Sequence, residues 1–152
     1  MKLGTSLAMV FAGLIASSAQ ADQADTFLQG GSYEVTYRLE VPHVEEWATD
    51  STARICVRNP KNNEGIALPV LSVNNPLSKC PANSIHQIGD ILSFNINCHE
   101  REGARAKAVY KLKLNAFQGR IAMTMGGKNM TFVEVQSGRR VGSCDLVGDP
   151  AN

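Results

Sequence analysis

The chain has 152 residues, 43% of them hydrophobic and 19% charged, with 15 Lys and Arg against 14 Asp and Glu. That length suits one domain with a modest core that gains from covalent staples. A formal charge of +1 excludes bulk electrostatic attraction to nucleic acid, and no segment reaches the roughly 20 apolar residues a membrane-spanning helix needs.

Residues 1–21 read as a cleaved export signal: Lys2, the apolar run LAMVFAGLIA, and the small-x-small ending SSAQA before Asp22. The expectation is a secreted, periplasmic protein with residues 22–152 as a single domain. The residue immediately after the cleavage site is Asp22 and not the cysteine a lipid anchor requires, which argues against a lipoprotein. The four cysteines, Cys56, Cys80, Cys98 and Cys144, all lie in the exported part, where an oxidising compartment favours disulfides. They contain no CxxC pair, so a zinc ribbon or a thioredoxin-like redox motif is unsupported. Asn95 stands where haem attachment before Cys98-His99 would require a cysteine.

Strand signals follow in chain order. SYEVTYRLE (32–40) alternates, with Tyr33, Val35, Tyr37 and Leu39 on one face, and ARICV (53–57) is a second strand reached through a polar stretch holding Trp47. Residues 58–81, rich in proline and asparagine, form an irregular loop. From 83 the chain reads as a meander. NSIHQI meets ILSFNINC across Gly89-Asp90, and ARAKAVYKLKLN turns Ala106, Ala108, Tyr110, Leu112 and Leu114 to one side. FQGRIAMTM and KNMTFVEVQ then pair across a glycine turn, and Ser137-Gly138 is expected to turn into the closing RRVGSC. If Gly89-Asp90 is a two-residue hairpin loop, position 81 opposes 98, and a small twist or bulge brings Cys80 to Cys98. Cys56 is left to pair with Cys144.

The opening GGSYEVTYRLE, the cysteine after the second strand, the later Cys-Pro, the Met/Thr-rich hairpin and the closing SGRRVGSC resemble the bacterial domain-of-unknown-function 3617 family. The resemblance runs from about Gly30 to Cys144, with Tyr33 where a tryptophan is more usual. It implies an exported, cysteine-stapled β protein of Gram-negative bacteria and brings no activity with it.

The fold expected from the residues is therefore all-β: an antiparallel meander of six to eight strands rolled into a half-open barrel or sandwich and stapled by two disulfides. Three functions are open. The first is a non-catalytic periplasmic protein that binds a small apolar ligand or an envelope protein partner. Its inward residues would be Tyr33, Tyr37, Phe94, Tyr110, Leu112, Phe117, Ile121 and Met123, as core first and pocket second. The second is a Cu(I)-binding protein in which the thioethers of Met123, Met125 and Met130, with His43, His86 or His99, supply soft ligands; against it, flexible thioethers commonly fill cores. The third is an interaction module acting through a basic sheet face of Arg105, Lys107, Lys111 and Lys113, with Arg101, Lys128, Arg139 and Arg140 nearby. An enzyme is not expected. HERE (99–102) lacks the second histidine of a zinc protease helix, no serine sits in a G-x-S-x-G elbow, and bridged cysteines leave no free thiol.

Overall fold

The computed structural model describes residues 28–44, 46, 48–58, 65–98, 103–126 and 130–144. The expected export signal, Trp47, the segment 99–102 with His99 and Arg101, and Lys128 lie outside them. The described residues form seven strands: β1 (Gly31–Glu40), β2 (Ser51–Val57), β3 (Ala82–Ile88), β4 (Ile91–Asn97), β5 (Arg105–Lys113), β6 (Ala116–Met125) and β7 (Met130–Gly142). They form one open antiparallel sheet in the order β2-β1-β7-β6-β5-β4-β3. The all-β expectation holds, with the two sequence-adjacent blocks joined where β7 returns to lie beside β1.

One face of this sheet is buried and the other meets water, so each strand alternates. On β5, Ala106, Ala108, Tyr110 and Leu112 are buried while Arg105, Lys107, Val109, Lys111 and Lys113 are exposed. The layer covering the buried face is the irregular segment itself. In residues 65–77, Ile66, Leu68, Val70 and Leu77 are buried along with the strand residues, so this strap alternates like a strand although it joins no ladder. Asn75 stops it: its side-chain oxygen accepts from the Leu77 amide at 3.0 Å and caps a short 3-10 turn, Pro76–Lys79.

Aromatic rings fill the centre. Tyr33 lies 5.7 Å from Phe117, Phe117 5.8 Å from Tyr110, and Tyr110 6.0 Å from Phe94, centroid to centroid. Each ring removes roughly 150–250 Å2 from water, which at about 25 cal/mol per Å2 stabilises by about 4–6 kcal/mol before side-chain entropy is subtracted. Two glycines make room for them. Tyr110 pairs across β5–β6 with Gly119, and Phe117 pairs across β6–β7 with Gly138; a Cβ on either glycine would collide with its partner's ring. This corrects the expected turn at Ser137-Gly138. The glycine serves ring packing, and β7 runs through it as one strand of 13 residues. Leu114 departs as well: it sits in the β5–β6 turn and is 59% exposed instead of extending the inward row.

Both disulfides pair as the register suggests. Between Asn83 and His86, Ser84 and Ile85 stand opposite the single residue Phe94, and Ser84 takes a positive φ of 51°. That one-residue bulge shifts the register so that Cys80 comes level with Cys98, and the two are bridged with Cα atoms 5.1 Å apart. Cys56 of edge strand β2 is bridged to Cys144, just beyond β7, with Cα atoms 5.5 Å apart. This second bridge ties three adjacent strands together, because β1 lies between them.

Candidate functional site

Of the eight residues expected to face inward, Tyr33, Phe94, Tyr110, Leu112, Phe117, Ile121 and Met123 are buried in one continuous cluster, whereas Tyr37 is only half-buried and does not belong to it. Strap side chains pack on the same cluster, so these residues act as core.

The methionine hairpin is in the expected register, Met125 opposite Met130 and Met123 opposite Phe132, yet the three thioethers live in different surroundings. Met123 is 1% exposed and its sulfur accepts from Asn75 Nδ2 at 3.1 Å, whereas Met130 is 53% exposed and Met125 is half-buried. The Asn75 donor engages one of the two lone pairs on Met123 Sδ.

The alternation set by Met130 carries an unexpected consequence further along β7. It turns Glu134 and Gln136 inward, 0% and 1% exposed, and Val133 and Val135 toward the outer face. The Glu134 carboxylate accepts from the Leu71 amide at 2.8 Å, the Ser72 amide at 2.9 Å and Gln136 Nε2 at 2.6 Å. Gln136 Nε2 also donates to the Pro69 carbonyl at 2.8 Å, and Tyr110 donates its hydroxyl proton to Gln136 Oε1 at 2.9 Å. The cluster therefore satisfies a buried carboxylate by pinning residues 69–72 of the strap across the sheet. Burial, reinforced by the negative Glu134, holds the Tyr110 hydroxyl well above its ordinary pKa. Tyr33 is raised by burial and partly lowered by the Arg140 guanidinium.

The outer face carries the charge. Arg38, Arg54, Arg105, Lys107, Lys111, Lys113, Arg120 and Arg139 all point to it, against Glu34 and Glu40 on the same strands. Arg140 is a correction to the expected basic row. As the neighbour of outward Arg139 it points the other way, is half-buried, and donates from Nε to the Gly30 carbonyl at 3.0 Å. Arg38 pairs with Glu40 at 2.7 Å, Lys111 with Asp90 at 3.5 Å, Arg139 with Glu34 at 3.6 Å and Arg120 with Glu40 at 3.9 Å. Among the described residues, Arg54, Arg105, Lys107 and Lys113 have no acidic partner.

Geometry makes the cations a continuous stripe. Outward residues recur about every 6.8 Å along a strand, and on β5 the series Arg105, Lys107, Lys111, Lys113 is interrupted only at Val109. Arg120 of β6 stands opposite Val109 and fills the gap from the neighbouring strand. Beside the stripe lies a shallow, open groove of about 530 Å3, whose floor and walls include Arg38, Val109, Lys111, Gln118, Arg120 and Val135. Its sides offer charge and amide groups, and its valines offer aliphatic contact.

A family model described as protein of unknown function (DUF3617) matches residues 28–144. No curated protein and no solved structure matches the chain.

Proposed function

The chain belongs to the DUF3617 family of proteins of unknown function, and because membership brings no activity with it, we propose from the chain's own surface that it is a non-catalytic binding protein of an exported, oxidising space. Its outer sheet face holds a negatively charged partner. The observation that carries this reading is the segregation of charge: a chain with a formal balance of +1 gathers eight outward Arg and Lys residues on one sheet face beside two acids. Four of those cations have no acidic partner among the described residues. Such a face raises the local concentration of anions and speeds their encounter.

The two disulfides support the export part of the reading, since such crosslinks persist in oxidising compartments. The apolar-ligand alternative has less support, because the side chains of Ile66, Leu68, Val70 and Leu77 cover the apolar face. The test is binding of a soluble polyanion, poly-glutamate, to the oxidised protein as a function of salt. Affinity should fall steeply with ionic strength and should drop at least tenfold in the double variant Lys107→Glu, Lys113→Glu. Binding that ignores both salt and these substitutions would remove the face from consideration.

A further inference from the structure

One end of the outer face differs from the rest. There the β3–β4 hairpin presents Ile88 and Ile91 as a cross-strand pair, 82% and 42% exposed, on either side of the Gly89-Asp90 turn. The adjacent β5–β6 turn presents Leu114, 59% exposed. The two tips are held side by side, because the Leu112 amide donates to the Asp90 carbonyl at 2.7 Å. Lys111 stands opposite Ile91 across β4–β5, and Lys113 immediately precedes Leu114. Arg139 lies one strand beyond, opposite Ala116. Packing within this chain leaves these three aliphatic side chains 42% to 82% exposed and clustered at neighbouring turn tips.

Resting on the reading of the outer face as an anion-binding surface, we propose that this end of the sheet docks on an anionic lipid bilayer. The chemistry of the patch favours lipid over an acidic polypeptide. Lys and Arg alike are drawn to an anionic headgroup layer, and the protruding Ile88, Ile91 and Leu114 can enter the boundary between headgroups and acyl chains, a contact an acidic polypeptide does not offer. Neither signal suffices alone, as stable peripheral attachment takes two. A Lys or Arg held near an anionic surface is worth roughly fivefold in partition, and each methylene removed from water roughly fourfold. Asp90 and Glu34 are the described acids at this end; Lys111 and Arg139 face them, which leaves Lys113 and the stripe behind it, Lys107, Arg120 and Arg105, to supply the net attraction. Among the described residues no helix is long and apolar enough to cross a membrane.

The experiment is co-sedimentation of the oxidised protein with vesicles of phosphatidylglycerol and phosphatidylcholine, against pure phosphatidylcholine. Binding is expected to the anionic vesicles only, to weaken with salt, to fall at least tenfold in Ile88→Ser, Leu114→Ser, and to fall at least tenfold in Lys111→Glu, Lys113→Glu. All four positions are exposed, and thermal unfolding of each variant checks that it remains folded. Vesicle binding untouched by Ile88→Ser, Leu114→Ser overturns the proposal, because charge alone would then account for it. If poly-glutamate is bound and anionic vesicles are not, the lipid proposal falls while the anion-binding face stands. If neither is bound, both fall.

Discussion

Replacing Glu134 by alanine tests how the strap is held. The side chain is 0% exposed and meets three donors: the amides of Leu71 and Ser72 and Nε2 of Gln136. Hydrogen bonds to a charged acceptor contribute about 1.5–3 kcal/mol each, offset by several kcal/mol for taking a carboxylate out of water. Truncation relieves that desolvation but leaves the Ser72 amide buried and without an acceptor, the Leu71 amide half-shielded, and Gln136 short of one partner. At about 1–3 kcal/mol for each orphaned group, Glu134→Ala should destabilise the domain by about 3–5 kcal/mol, a large fraction of the 5–15 kcal/mol typical of domains. Glu134→Gln keeps one acceptor and turns its amide nitrogen toward another donor, so the cost should be smaller, about 1–3 kcal/mol. Equilibrium unfolding in urea with the disulfides intact measures both. Hydrogen exchange at Leu71 and Ser72 should accelerate before the sheet amides do. An alanine variant within about 0.5 kcal/mol of the parent, with unchanged exchange at those two amides, would refute the claim that this carboxylate pins the strap.

The remaining expectations concern the staples, the glycines, alkaline pH and copper. Removing the Cys56–Cys144 bridge, which closes a separation of 88 residues, should cost about 4.6 kcal/mol, against about 3 kcal/mol for Cys80–Cys98 with its separation of 18; paired Cys→Ala variants in urea give the order. Gly119→Ala should destabilise more than Gly138→Ala, since a Cβ at 119 meets the rigid Val109 backbone oxygen as well as the Tyr110 ring, whereas the nearest atoms at 138 all belong to the Phe117 side chain; thermal melts of the two compare them. Tyr110 and Tyr33 have raised pKa values in the fold, so the unfolded chain loses those protons first. Stability is thus unaffected below the ordinary tyrosine pKa of about 10 and declines as pH rises above it. Tyr110→Phe should be less stable at neutral pH, having orphaned Gln136 Oε1, but should show a shallower alkaline decline. Met123→Leu with Met125→Leu should leave Cu(I) retention against a chelator unchanged; loss of a stoichiometric ion would restore the copper reading.

Much of the fold was legible because one buried face writes itself into the sequence as alternation. Tyr33, Val35, Tyr110, Leu112, Phe117 and Ile121 were all placed on the face they occupy, and the hairpin at Gly89-Asp90 was enough to bring Cys80 near Cys98. What escaped was polarity on the wrong side. Val133 and Val135 look like inward residues and Glu134 and Gln136 like outward ones, yet the register from Met125 and Met130 assigns the reverse. Counting in twos from that turn would have found them. The strap escaped for a related reason: its prolines and asparagines mark irregular backbone correctly, while the alternation of Ile66, Leu68 and Val70 marks a buried layer. Arg140 was grouped with Arg139 by adjacency, although neighbours in a strand point to opposite faces. Ser137-Gly138 has the composition of a turn, and only the Phe117 ring across the ladder shows why a glycine is needed there. The stripe on β5 could be read from its own alternation, but its completion by Arg120 required the β5–β6 register.

The outer face, rather than the filled inner one, is where this protein is held to meet its partner, and amide chemical-shift mapping during titration with a soluble polyanion tests that most directly. Shifts should concentrate at Arg105, Lys107, Lys111, Lys113 and Arg120, with Phe94, Ile121 and Met123 unmoved. Shifts centred on those buried residues and on strap residues 66–72 would place the partner inside the sheet and contradict the account.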